Sequence, residues 1–268
     1  MRSGQEFMMI HPTAVIYPGA VLAADVEVGP HAVIGANVKI GKGTTIGANT
    51  VIDGWTTIGE NNRISQLVSI GAPPQDIKYK GEATTLEIGN GNIIREFVTI
   101  HLGSPSGSGK TTVGNNNMFM AYVHIAHDCR VGNNVIMANS ATLAGHVTVE
   151  NNVIFGGLCA IHQFTRIGEF AMIGGGTMVG QDILPYTIAT SEEKRAAKLR
   201  GLNLIGLKRN GFSEELIRDI KTMYKTVVLS GLKLPDAVVR IQNLVKQSPQ
   251  RDHFLEFIEG SKRGICKK

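Results

Sequence analysis

This 268-residue chain predicts a parallel β-helix followed by a helical C-terminal segment, and three observations carry that prediction. An aliphatic residue recurs every six positions from Ile10 to Val179, and the fifth position of each unit is usually small. The beat then stops and a helical periodicity takes over.

The first units begin at Ile10, Ile16, Leu22, Val28, Ile34, Ile40, Ile46, Ile52, Ile58, Ile64 and Ile70, with Ala14, Ala20, Val26, Ala32, Val38, Thr44, Thr50 and Thr56 at their fifth positions. After one excursion the beat returns in phase at Ile88, Ile94 and Ile100. A second excursion, Leu102 to Thr112, shifts the frame, and units resume at Val113, Phe119, Ile125, Val131, Met137, Leu143, Val149, Phe155, Ile161, Ile167, Ile173 and Val179. Each unit reads as one short strand, and three units make a coil. Positions eighteen apart then stack at the ~4.8 Å spacing of neighbouring strands, and roughly ten coils make a prism about 45 Å tall. Positions one and five point inward, and glycines are expected to serve the corners, where φ is often positive.

Beyond the repeats, Ser213 precedes an apolar-periodic run (Leu216, Ile217, Ile220, Met223, Val227), Pro235 starts a second, and a third spans Gln250 to Glu259 before Gly260. The organisation expected is an N-terminal extension over 1–9, a β-helix over 10–190 and a helical domain over 191–268. Charge divides at the same place. Residues 1–191 hold ten Lys/Arg against thirteen Asp/Glu, whereas 192–268 hold seventeen against nine. A basic helical surface of this kind suits an anionic partner such as a nucleotide, an acidic protein or a nucleic acid.

Three cysteines without tight spacing argue against a disulfide framework. Cys129 and Cys159 fall on inward fifth positions and read as small core residues. No run of eighteen apolar residues occurs and residues 1–9 lack the apolar stretch of a signal peptide, so a cytoplasmic location is expected. Gly107-Ser108-Gly109-Lys110-Thr111 resembles a phosphate-binding loop, yet Ser104 stands where its first glycine is required, and a flexible loop between coils is the reading it receives. Gly174-Gly175-Gly176 follows the beat and opens no helix, which argues against a dinucleotide site.

The histidines are placed by the eighteen-residue ruler. His124-Ile125-Ala126-His127-Asp128-Cys129, Leu143-Ala144-Gly145-His146 and Ile161-His162-Gln163-Phe164 occupy consecutive layers of one face. Gly145 falls above His127, His146 above Asp128, and Gln163 above Gly145. None of these histidines is on an inward position. Solvated corner residues, a metal site such as zinc, and a catalytic cleft all fit a single histidine there, but three in register beside an aspartate favour a functional site.

Those three segments, together with Pro74-Gln75-Asp76-Ile77-Lys78-Tyr79-Lys80-Gly81-Glu82 and Gly206-Leu207-Lys208-Arg209, resemble the UDP-N-acetylglucosamine O-acyltransferase family over nearly the whole chain from Met9. The resemblance implies an all-β left-handed parallel β-helix with a C-terminal α-helical domain, against the general preference for right-handed crossovers. It also implies a homotrimer that transfers a 3-hydroxyacyl group from acyl carrier protein to the 3-hydroxyl of UDP-N-acetylglucosamine, the first step of lipid A synthesis. No cofactor, no metal, no nucleic-acid partner and no integral membrane segment is expected for that reaction.

By the matching motif, His127 is the general base, since imidazole titrates near ~6.5. Asp128 is the carboxylate that would fix its tautomer, provided the corner turns two adjacent side chains the same way. Gly145, stacked on His127, is assigned as the backbone donor of the oxyanion hole. By resemblance His124, His146, His162 and Gln163 line the cleft and hold substrate. Asp76 and Lys78 match substrate-contacting residues that reach a neighbouring subunit's cleft, Asn203, Lys208 and Arg209 match positions near the nucleotide, and Gly175 leaves room for a long acyl chain. The chain departs from the family pattern at Thr190-Ser191-Glu192 and at Asn210. The rival readings are the related N-acyltransferase, set aside because the repeats start at Ile10 without a preceding uridine-binding domain, and a zinc-dependent hydratase resembling the γ-class carbonic anhydrases.

Overall fold

In the computed structural model, which describes residues 9–191 and 196–267, two-residue strands stack into three parallel sheets. The first sheet runs in nine strands from Val15–Ile16 to Met178–Val179, and the second in eight from Val21–Leu22 to Arg166–Ile167. The third runs from Glu27–Val28 through Met172–Ile173 to Thr187–Ser191 and Ala197–Leu202. Together they form a left-handed parallel β-helix with short C-terminal helices.

The register follows the beat. Ile16 pairs with Ile34, Ile34 with Ile52, Ile125 with Leu143, and Leu143 with Ile161. The excursions are absorbed without loss of stacking, since Ile70 pairs with Ile100 and Ile100 with Ile125. Ile34, Ile52, Ile70, Ile100, Ile125 and Leu143 are buried, as are the fifth-position residues Ala32, Val38, Cys129 and Cys159. Identical layers place each methyl against the layer above at van der Waals distance. Inward threonines are satisfied by corner carbonyls: Thr44 Oγ1 donates to Gly59 O at 3.0 Å and Thr50 Oγ1 to Ser65 O at 2.8 Å.

Glycine does not carry most of the corners. Sixteen non-glycine residues have positive φ, against twelve glycines, among the described residues. Left-handed backbone costs an L-residue roughly 1–2 kcal/mol, and here hydrogen bonds between layers hold it in place. The N–H of many such residues meets a carbonyl of the coil below, as in Asn61 to Lys42, Asn134 to Asn115 and His146 to His127. These bonds let corners display side chains.

The segment expected to be helical from Ser191 opens instead with a strand. Ala197–Leu202 pairs antiparallel with Thr187–Ser191 and closes the end of the third sheet. Four helices follow, α1 (Leu204–Arg209), α2 (Glu214–Tyr224), α3 (Leu234–Leu244) and α4 (Pro249–Glu259), with a π-helical turn Lys225–Leu229 continuing α2. The expected start signals are used. Ser213 caps α2 through Leu216 N, and Pro235 lies in the first turn of α3. Ser248 caps α4 through Arg251 N. The short α1 carries no apolar period long enough to have been read. Among the described residues no helix is long and apolar enough to cross a membrane. The proposed extension over 1–9 lies outside the described residues except for Met9, and so does Glu192.

Candidate active site

One edge of the prism, between the first and second sheets, collects the histidines singled out in the sequence, Asp128, Gly145, Gln163, Asp76 and Lys78. Both excursions leave the coil there, residues 73–84 between Ser69–Ala72 and Thr85–Ile88, and residues 102–109 between Thr99–His101 and Lys110–Val113. The corners bearing His127, His146 and His162 follow on successive layers above them.

Asp128, His146 and Phe164 form a column of left-handed residues at this edge, with φ of 59°, 63° and 64°. That conformation resolves the question of whether adjacent side chains diverge. The turn brings the Asp128 carboxylate back to its neighbour, and His127 Nδ1 lies 2.9 Å from Asp128 Oδ2. Asp128 is also cradled by the second excursion. Its Oδ2 accepts from Ser104 N at 3.0 Å and Ser104 Oγ at 2.6 Å, and its Oδ1 accepts from Gly109 N and Ser108 Oγ, each at 3.1 Å. The glycine-serine segment is therefore not a free loop. It binds an anion, and that anion is the chain's own carboxylate. Burial pushes the Asp128 pKa up, but hydrogen bonds from Ser104 and His127 and the nearby His146 outweigh it and hold the group below its ordinary value. A carboxylate facing Nδ1 fixes the proton on that nitrogen and leaves Nε2 of His127 as the basic atom.

Gly145 lies against that atom. A Cβ added there would stand 2.5 Å from His127 Cε1 and 2.7 Å from Nε2, so only glycine fits. Its N–H donates to no backbone carbonyl of the described residues. His146 packs edge to face on His127, centroids 5.0 Å apart, and flat on Phe164 at 4.4 Å. Its Nδ1 is 3.9 Å from Asp128 Oδ2, and burial lowers its pKa despite that carboxylate. His124 is pinned by a 2.7 Å hydrogen bond between Nδ1 and Thr99 Oγ1; burial, then the charge of His127, lowers its pKa as well. His162 and Gln163 are exposed on the layer above, with the His162 ring 3.2 Å from Gln163 O.

Asp76 is tied to the second excursion of its own chain: Oδ2 accepts from Ser106 Oγ at 3.2 Å and Oδ1 from Lys78 N at 2.9 Å. The Lys78 bond holds its pKa down, and the charge of His127 contributes in the same direction. Lys78 itself is exposed.

The remaining residues are not brought to this edge. Gly175 sits at the edge between the third and first sheets, stacked on Gly157. Arg209 is exposed in the last turn of α1, and Lys208 lies 4.0 Å from Glu214. Asn203 is buried and caps α1. Its Oδ1 accepts from Gly206 N at 3.1 Å and its Nδ2 donates to Phe170 O at 3.0 Å, so its amide is engaged in the fold. The departures at Thr190 and Asn210 have structural uses. Thr190 Oγ1 accepts from Arg200 Nε at 2.9 Å, and Asn210 Nδ2 donates to Gly206 O at 2.8 Å at the end of α1.

Sequence reading missed Ser104, Ser108, Thr99, His101 and Phe164. Phe164 was within reach, because it lies eighteen beyond His146, whereas the serines sit on a loop where the ruler does not apply. His127, Asp128 and His146 could hold a metal ion, as their donor atoms lie within 4.8 Å of one another. The Asp128 oxygens, however, already accept four hydrogen bonds from the Ser104–Gly109 loop besides facing His127, which leaves little of the carboxylate for a cation.

Comparison with known proteins bears on the family. A family model described as UDP N-acetylglucosamine O-acyltransferase, domain 2, matches residues 182–266, and a bacterial transferase hexapeptide model matches residues 8–42, 37–72 and 110–145. An acyl-acyl-carrier-protein UDP-N-acetylglucosamine O-acyltransferase of Trichlorobacter lovleyi is 58% identical over 97% of this chain and 100% of its own length. One from Janthinobacterium sp. is 54% identical over 97% and 99%. Among solved structures, UDP-N-acetylglucosamine acyltransferase of Francisella novicida superposes with a TM-score of 0.94 at 40% identity, covering 97% of this chain and 94% of that one. The UDP-N-acetylglucosamine O-acyltransferase of Moraxella catarrhalis gives 0.93 at 41% identity, covering 96% and 99%. With relatives of this identity matched almost end to end, the chain belongs to the UDP-N-acetylglucosamine O-acyltransferase family.

Proposed function

We propose that this chain is an acyltransferase that moves a 3-hydroxyacyl group from the thioester of acyl carrier protein to the 3-hydroxyl of UDP-N-acetylglucosamine, the opening acylation of lipid A synthesis. One observation carries the mechanism: Nε2 of His127 faces Gly145 while Nδ1 faces a buried, hydrogen-bonded carboxylate. Nε2 takes the proton of the sugar hydroxyl as its oxygen attacks the thioester carbonyl carbon. Negative charge collects on the former carbonyl oxygen, where the Gly145 N–H donates, a contact typically worth ~3 kcal/mol of barrier. Asp128 stabilises the imidazolium that forms. The carbon–sulfur bond then breaks, and the proton passes from His127 to the departing thiolate.

His124, His146, His162 and Gln163 form the walls that hold the substrates in this reading, with Asp76 and Lys78 at the foot of the same cleft. Arg209 is suited to a phosphate through its bidentate fork. Gly175 leaves space for a long acyl chain. A homotrimer fits the apolar column Ile93, Met118, Ile136, Ile154 and Met172 on the outer face of the third sheet, together with the stacked, exposed Phe97 and Tyr122 beside it. The basic helical segment suits docking of an acidic carrier protein in the cytoplasm.

The test is an acyl-transfer assay with UDP-N-acetylglucosamine and carrier-bound 3-hydroxyacyl chains of graded length. Transfer that peaks with long chains is the expected result; absence of transfer to the sugar with every donor overturns the reading.

A further inference from the structure

His101 has no part in the reaction as described, yet its surroundings point to one. It ends the strand Thr99–His101 at the cleft edge and is only 5% exposed. Its ring packs edge to face on His124, with centroids 4.9 Å apart and planes at 80°. Nδ1 is sealed from solvent and has no hydrogen-bond partner, whereas Nε2 is not sealed. Burial above all, then His124 and His127, pushes its pKa down to about 4, so the ring stays neutral near neutral pH.

A neutral imidazole has one N–H and one lone pair. Orphaned buried N–H groups are rarer than under-satisfied acceptors, which assigns the lone pair to the sealed Nδ1 and the proton to Nε2. Phenylalanine would fill the same space without an orphan. A histidine here is accounted for by a use of its Nε2–H.

We propose that His101 is a further substrate-binding residue, whose Nε2–H donates to an uncharged oxygen of the bound substrates beside His124. A donor that stays neutral suits a hydroxyl or carbonyl oxygen better than a phosphate. Two sources can present one, the hydroxyl of the acyl chain and the sugar. The inference rests on the transferase reading.

Acyl transfer by the wild type, His101→Phe and His101→Gln is compared using 3-hydroxyacyl and unsubstituted acyl donors across a range of nucleotide-sugar concentrations. His101→Phe should melt no lower than the wild type and lose about tenfold in kcat/KM, the scale of one neutral hydrogen bond. His101→Gln, whose side-chain amide can donate, should recover part of that loss. A loss confined to the 3-hydroxyacyl donor identifies the chain hydroxyl, and a raised KM for the sugar with both donors identifies the sugar. Equal kcat/KM for His101→Phe and the wild type with both donors overturns the proposal. Should the phenylalanine variant not fold, His101→Gln and His101→Leu decide in its place, and equal activity of the two overturns it. An inactive wild type sinks the transferase reading itself, whereas an active wild type with an indifferent His101→Phe sinks only this inference.

Discussion

Two histidine–carboxylate clusters in this molecule are built with opposite charge ratios. At the cleft edge, four imidazoles (His101, His124, His127 and His146) gather beside one buried aspartate, which meets His127 and His146. At the junction of α4 with the prism, one imidazole is set between two carboxylates. His253 Nε2 lies 3.0 Å from Glu150 Oε2, and its Nδ1 lies 3.4 Å from Glu169 Oε1. Tyr186 donates its hydroxyl to Glu169, Glu169 N donates to Glu150 Oε2 at 2.8 Å, and Arg166 stands 3.9 Å from Glu150 while its guanidinium lies 4.3 Å above the Phe257 ring. Where imidazoles outnumber carboxylates, burial wins and the pKa of His101, His124 and His146 falls. Where carboxylates outnumber the imidazole, the Glu150 hydrogen bond wins over burial and the pKa of His253 rises. The first arrangement favours the neutral form of His101, His124 and His146, and the second favours the protonated form of the ring that fastens a helix.

The comparison can be broken most sharply at His127. Replacing it with alanine should lower kcat by about a thousandfold or more while the protein keeps its melting temperature, as read by the transfer assay and thermal unfolding. Gly145→Ala comes next. Its Cβ would press on the His127 ring, and a fall of roughly a hundredfold in kcat is expected. Asp128→Asn should reduce both activity and stability, because the Ser104, Ser108 and Gly109 donors would face an amide; a loss of about 2–3 kcal/mol in chemical denaturation is the expected size. An Asp128→Asn variant as stable and active as the wild type would show that the aspartate does not organise the edge.

The smallest effect belongs to the junction and depends on pH. The pKa of His253 is raised on folding, so its contribution is complete below the unfolded value of ~6.5 and is lost as pH rises through the folded value. His253→Gln should therefore lower stability by about 1 kcal/mol at pH 6, allowing for partial exposure of the pair, and by progressively less in alkaline buffer. A difference that grew with pH would reverse the assignment.

The inward rows were legible because one residue in six repeats identically, and the same ruler by itself sets Gly145 above His127. It failed wherever the chain leaves the lattice. Ser104 and Ser108 reach Asp128 from an excursion with no fixed stacking interval, and Asp76 folds back on Ser106 for the same reason. His253 meets Glu150 from far along the chain, through helix docking that no local pattern encodes. The corners misled differently. Asn, Phe and His occupy left-handed positions that composition would give to glycine, because the hydrogen bond to the coil below is a property of the stack and not of the residue.

The column Asp128, His146 and Phe164 means that the cleft is quantised. Its side chains occupy one fixed bearing at steps of ~4.8 Å, so contacts along the edge can be added or removed only in whole layers. Removal of eighteen residues below Ile52 would shorten the prism by one step and leave the bearing of every cleft residue unchanged. Removal of a single residue would turn all layers beyond it away from the edge.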